Sequence, residues 1–172
     1  MADPISVSLP SQDDMLRAVG RGIQAFVTVE SGLAFVFASL LAPADRGLTI
    51  IAFNTIWQAE AKIRMIRSVV EYKYPAGDVL RGRIEGALKQ CRERLDIRNK
   101  LAHYQVGYSP GMESIADVSK VGVALLPPFT SPLHAAIVWG GGTPLKLNEL
   151  TQFAELCNAL FMDLVNLSNE IR

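Results

Sequence analysis

Two cysteines, Cys91 and Cys157, are too few in 172 residues for a disulfide framework or a four-ligand zinc site. Charge of one sign is lacking as well. The 17 Lys and Arg balance 17 Asp and Glu, so no global potential advertises a nucleic-acid or membrane partner. Histidine occurs only as His103 and His134, and neither a Ser-His-Asp triad nor a His-Glu-x-x-His metal motif appears. Met1-Ala2-Asp3-Pro4 carries no basic leader, so no secretory signal is expected and a cytoplasmic location is inferred. No internal repeat or low-complexity tract is visible. At 49% hydrophobic and 20% charged residues the chain has the means to fold, and its length fits one domain over residues 1–172.

One apolar run, Ile23 to Leu41, is long enough to pass as a membrane span. It holds Glu30 near its middle, with Gln24, Thr28 and Ser39 around it. A central acid costs about 2.5–3.5 kcal/mol on insertion scales, and no second span exists to pair it. A buried helix of a soluble bundle is the expected reading, with no membrane partner.

Four long segments carry helical periodicity. The first runs from Gln12, capped by Ser11 with Asp14 three residues on, to Ala42 before Pro43, with the stripe Ile23, Phe26, Leu33, Phe37 and Leu40. The second, Asp45 to Tyr72, repeats Ala52, Ile56, Ala59, Ile63, Ile66 and Val70. The third follows the Pro75-Ala76-Gly77 break, from Asp78 to Gln105, with Leu80, Ile84, Leu88, Cys91 and Leu95 inward. The fourth runs from Glu149 to Ile171, with Asn148 as N-cap and Leu150, Phe153, Cys157, Leu160, Leu164 and Leu167 inward. The segments take up nearly two thirds of the chain, against a usual helical share of about a third. The expected class is all-α, an up-and-down four-helix bundle.

Residues 106–147 differ. They hold five of the nine prolines (Pro110, Pro127, Pro128, Pro132, Pro144) and Gly140-Gly141-Gly142. Val118–Leu126 and Ala135–Trp139 are short β-prone runs, so a β-hairpin excursion packed on the bundle is expected. The triple glycine lacks the Lys-Ser/Thr of a phosphate loop and reads as a turn. His134 reads as a surface residue, Cys91 as core, and Trp57 and Trp139 as packing residues.

The end of the third segment is the informative place. Continuing its stripe past Leu95 puts Arg98 and Ala102 at apolar positions, and a buried guanidinium must be paired. Asp96, Asn99 and His103 share a second, polar face. Arg98 and His103 lie about 140° apart around an ideal helix, so a site using both is expected where this helix meets a partner element. Glu30 interrupts the first helix's stripe, and a buried Glu30–Arg98 pair would resolve both oddities. Glu60 is a second acid, with Arg64 four residues on to satisfy it.

Arg98-Asn99-Lys100-Leu101-Ala102-His103 resembles the signature of the HEPN superfamily: arginine, a polar residue, three more residues, then histidine. There the motif sits late on a bundle helix, ahead of a variable connection and a last helix, a layout similar over nearly this whole chain. The resemblance implies Arg98, Asn99 and His103 as the catalytic trio of a metal-independent endoribonuclease of toxin or defence type. It implies a homodimer with two motifs facing across the interface, RNA as substrate, a possible cognate antitoxin protein, and no cofactor. A histidine can move the proton of a ribose 2′-hydroxyl or of the leaving 5′-oxygen, and a guanidinium can hold the scissile phosphate. Glu30, Asp96 and Tyr104 are supporting candidates. A toxin branch regulated by a nucleotidyltransferase has tyrosine two residues after the histidine; here Gln105 stands there, and such modification is not expected. The alternative is a non-catalytic HEPN-like binding or adaptor domain with a structural Arg98–Glu30 pair.

Net neutrality hides a local excess. Residues 62–100 hold 11 Lys and Arg against five acids. This stretch is either a phosphate-holding patch or a solvated face with helix ion pairs such as Arg92–Asp96.

Overall fold

The computed structural model describes residues 11–109, 122–126 and 144–171. Among these the chain is mostly helical, in line with the all-α expectation. The elements are α1 (Gln12–Leu41), α2 (Arg46–Asn54), α3 (Ala59–Lys73), α4 (Val79–His103), β1 (Gln105–Ser109), β2 (Gly122–Leu126) and α5 (Leu147–Glu170).

The start of α1 follows from local chemistry. The Asp14 amide donates to Ser11 Oγ at 3.1 Å, and the Ser11 amide donates to Asp14 Oδ2 at 3.1 Å, a reciprocal capping box. The Ser11 hydroxyl, donating to Asp14 Oδ2 at 2.6 Å, and then the Ser11 amide hold the Asp14 carboxyl below the usual carboxylate range. The helix stops at Ala42, which takes the left-handed conformation (φ 45°) just ahead of Pro43. Asp45 then caps α2 by accepting from the Leu48 amide at 2.9 Å.

The expected second helix is in fact two. At Thr55 and Ile56 the backbone bonds tighten to i→i−3 (Thr55 N to Ala52 O and Ile56 N to Phe53 O, both 3.2 Å), and Thr55 Oγ1 also donates to Ala52 O. Competing local bonds of this kind end a helix. The gap, Thr55 to Gln58, nearly equals one helical turn. In the sequence Ala52 and Ile56 keep step with Ala59 and Ile63, so periodicity alone does not reveal the break; in the structure the buried side chain of α2 is Phe53, and Ala52 of the expected stripe is exposed.

Helix α4 is capped by Asp78 through the Arg81 amide at 3.0 Å and ends one turn past Lys100, whose carbonyl accepts from the Tyr104 amide at 2.8 Å. Gln105, expected in the helix, is the first strand residue. Strand β1 pairs antiparallel with β2 from Gln105↔Leu126 to Ser109↔Gly122, and Leu125 also bridges Leu145. The β excursion thus exists, but its first strand is the segment directly after α4. The other β-prone run, Ala135–Trp139, lies outside the described residues with His134 and the triple glycine. Helix α5 starts two residues before the expected Glu149, with Lys146 rather than Asn148 as N-cap; the Glu149 carboxylate accepts from the Lys146 amide at 2.7 Å.

The core forms where α1 lies against α5, with α3 and α4 packed on α1 and on each other. Phe26, Val29 and Leu33 of α1 meet Ile63 and Ile66 of α3, Ile84 and Leu88 of α4, and Phe153 and Leu164 of α5 within one buried cluster. The whole expected α5 stripe is buried, whereas Ile23 of the expected α1 stripe is exposed. Phe53, the buried side chain of α2, stacks on Phe37 with ring centroids 4.8 Å apart. The hairpin lies against α1. By length and composition α1 could cross a membrane (mean hydropathy 1.6 over its most apolar window), but 61% of that window is buried within the protein.

Two glycines set the closeness of α1 to its neighbours. A Cβ at Gly32 would sit 2.9 Å from Leu164 Cβ, and one at Gly22 would sit 2.8 Å from Leu101 Cδ1. Gly20 faces open space. Gly32→Ala is therefore expected to destabilise by about 1–3 kcal/mol, through overpacking against a backbone-proximal carbon. Gly20→Ala is expected to stabilise by about 0.5–1 kcal/mol, through helix propensity alone. Thermal melts of the two variants should move in opposite directions.

Candidate functional site

A cleft of about 300 Å³ opens where the middle of α1, the start of α3 and the last third of α4 meet, lined by Glu30, Trp57, Gln58, Ala59, Glu60, Leu95, Arg98 and Asn99. Two of the three motif residues therefore share a concavity with Glu30. Arg98 is partly buried there, and Asn99 is exposed. The Arg98 guanidinium donates to Asn99 Oδ1 at 3.3 Å.

Arg98 does not pair with Glu30, contrary to expectation. Glu30 accepts from Lys62 Nζ at 2.7 Å, and the Lys62 side chain is only 6% exposed. The same ammonium lies 5.8 Å from the centre of the Phe53 ring. Lys62 stands three residues after Ala59 and four before Ile66, on the buried face of α3; a lysine at that position was the signal the sequence offered. Glu60, expected to be satisfied by Arg64, instead meets Arg92 of α4 at 3.2 Å, and the Arg92–Asp96 pair does not form. Both carboxylates of the cleft are thus matched by cations. Among the described residues Arg98 is left with no carboxylate partner.

The register of α4 explains why. Its buried stripe runs through Ile84, Ala87, Leu88 and Cys91 and resumes at Leu101, while Ala102 is exposed. Arg98 falls at the boundary between core and cleft rather than at a core position. On the same helix, Arg94 Nε is shielded from solvent and, among the described residues, has no partner, while its Nη1 donates to Gln90 O at 3.0 Å. Burial pushes the neighbouring Cys91 and Cys157 thiols up to about 12 and about 11, outweighing the favourable charge of Arg94. Both thiols are free, and both are buried, Cys91 as expected.

His103 lies on α4's last turn, exposed, and does not line the cleft. Asp96 is exposed too, and Tyr104 is partly buried against the core. A single chain thus brings Arg98, Asn99 and Glu30 together and leaves His103 outside.

Trp57 departs most from expectation. Read as a packing residue, it is 96% exposed in the α2–α3 connection, at the cleft. Next to it, Gln58 ends the connection without a side-chain capping bond, so the first amides of α3 have no side-chain acceptor from the cap. A larger groove of about 600 Å³ lies between α4 and α5, but its arginine, Arg83, is already bound to Glu170, whose carboxyl is held below its usual range by that contact. Among the described residues no group of three His, Cys, Asp or Glu converges as metal ligands would.

The chain matches no known family model, no curated protein and no solved structure in comparison. The functional reading therefore rests on the geometry and the motif.

The Glu30–Lys62 pair is testable by a double-mutant cycle. Glu30→Gln leaves a buried ammonium without its counter-charge and is expected to cost on the order of 3 kcal/mol. Adding Lys62→Met should recover most of that loss, a coupling that chemical denaturation of the four proteins would measure.

Proposed function

We propose that this chain is a HEPN-like, metal-independent endoribonuclease of toxin or defence type, acting in the cytoplasm as a homodimer. In this reading α1, α3, α4 and α5 are the four helices of an up-and-down bundle, α2 is an addition to it, and the hairpin is the variable connection. The observation that carries the proposal is Arg98: a cation without a carboxylate partner among the described residues, in a cleft whose acids are already neutralised, at the head of an Arg-polar-x-x-x-His motif. A guanidinium so placed is free to take a phosphodiester in a two-pronged, charge-assisted contact.

The division of labour follows from residue chemistry. Arg98 holds the scissile phosphate and stabilises the charge that grows on its oxygens. Asn99, bonded to Arg98, keeps the guanidinium aimed and offers its amide to the same phosphate. His103 takes the 2′-hydroxyl proton or donates to the 5′-oxygen, leaving a 2′,3′-cyclic phosphate and a 5′-hydroxyl. Because His103 stands outside its own chain's cleft, the partner copy is its means of meeting Arg98. An exposed apolar stripe supports this: Leu16, Ile23 and Val27 are 51%, 37% and 49% exposed. Leu16 and Ile23 lie at seven-residue spacings leading to Glu30 at the cleft. A second copy covering that stripe would sit beside the motif. The Glu30–Lys62 pair, which needs α3 beside α1, and the burial of α1 support a soluble protein. A cognate antitoxin protein is the partner this reading calls for.

Cleavage of single-stranded RNA in EDTA is the test. Wild type should yield 5′-hydroxyl ends, His103→Ala should lose about 10²–10⁴-fold in rate, and Arg98→Ala should lose about 10²–10³-fold, with circular dichroism unchanged. Equal trace activity in all three proteins would leave a binding or adaptor domain.

A further inference from the structure

We infer that Trp57 is a stacking platform for one unpaired base of the RNA strand held by Arg98, which makes the substrate single-stranded at the cleft. The inference rests on the ribonuclease reading and adds to it a base-binding subsite.

The argument begins with exposure. An indole offers one of the largest apolar surfaces of any side chain, and Trp57 leaves 96% of its surface in water. The sequence cannot account for this by helix register, because Trp57 lies in the connection between α2 and α3. The cleft it lines is mostly polar: Gln58, Glu60, Arg98 and Asn99 share it with Trp57, beside Ala59 and Leu95. A cleft with one open aromatic face, one cation lacking a carboxylate partner among the described residues, and amide groups within it has the complement that a nucleotide requires. The phosphate meets Arg98, the base lies on the indole, and the Gln58 and Asn99 amides offer donors and acceptors to base edges. Base–aromatic stacking tolerates every base, and a duplex cannot offer an unstacked one. Glu60 does not repel the strand, because Arg92 lies 3.2 Å from its carboxylate.

The experiment uses the full chain with Trp139→Phe, so that Trp57 is the only indole. The probes are a 2′-O-methyl single-stranded oligoribonucleotide, the same sequence as a duplex, and inorganic phosphate. The single strand should quench Trp57 fluorescence saturably, the duplex far less, and phosphate not at all. Trp57→Ala should weaken single-strand binding about five- to a hundredfold by anisotropy, and Trp57→Phe should retain most of it. Circular dichroism checks that Trp57→Ala is folded. Unchanged affinity in Trp57→Ala, with Arg98→Ala still impaired, overturns this inference and leaves the ribonuclease reading standing. A Trp57→Ala protein that changes only its oligomeric state overturns it in favour of a subunit contact. Wild type that binds no RNA overturns both.

Discussion

The cleft depends on which cation takes Glu30. An acid in the middle of an apolar helix must be neutralised, and two cations stand near it: Lys62 on α3, which pairs with it, and Arg98 on α4, which lines the same cleft. Lys62 takes it at 2.7 Å, with its own side chain almost wholly enclosed. Arg92 meets the other acid, Glu60, at 3.2 Å in a more exposed pair. Once both carboxylates are matched, the side-chain oxygen of Asn99 is the one hydrogen-bond partner of Arg98 among the described residues. Had Arg98 closed on Glu30, the cleft would be a sealed structural ion pair with nothing to offer an anion. The same pair ties α3 to α1 at the depth where the cleft opens, so the electrostatics and the packing of the site have one origin.

Much of the fold was legible in the sequence, for reasons that differ by element. The Ser11–Asp14 capping box is a purely local device, and the α5 stripe from Leu150 to Leu167 is a clean helical period facing one neighbour. Both survive in the structure. The α2–α3 break was hidden because Ala52 and Ile56 keep a helical period with Ala59 and Ile63 across it, although the structure buries Phe53 and exposes Ala52. Strand β1 was hidden because its pairing with β2 is a non-local contact that gives Gln105 and Val106 no local signature. Ile23 misled because part of α1's apolar surface is left uncovered in the single chain.

The site was legible in part. The motif drew attention to Arg98, Asn99 and His103, and the structure brings the first two into a cleft with Glu30. The partners were not legible. Lys62 and Trp57 come from α3 and the connection before it; the packing of α3 on α1 brings Lys62 to Glu30, and its packing on α4 brings Glu60 to Arg92. The α4 register was misjudged by continuing alternating steps past Leu95, when the buried stripe resumes at Leu101 because that side chain fills the space left by Gly22.

The central claim is that Arg98 is free to bind RNA phosphate. The salt dependence of single-stranded RNA binding tests it most directly, because each phosphate contact adds about 0.7 to the slope of log K against log salt concentration. If Arg98 engages phosphate, Arg98→Ala should bind more weakly and its slope should be shallower than wild type by about 0.7. An identical slope and affinity in the two proteins would contradict the account.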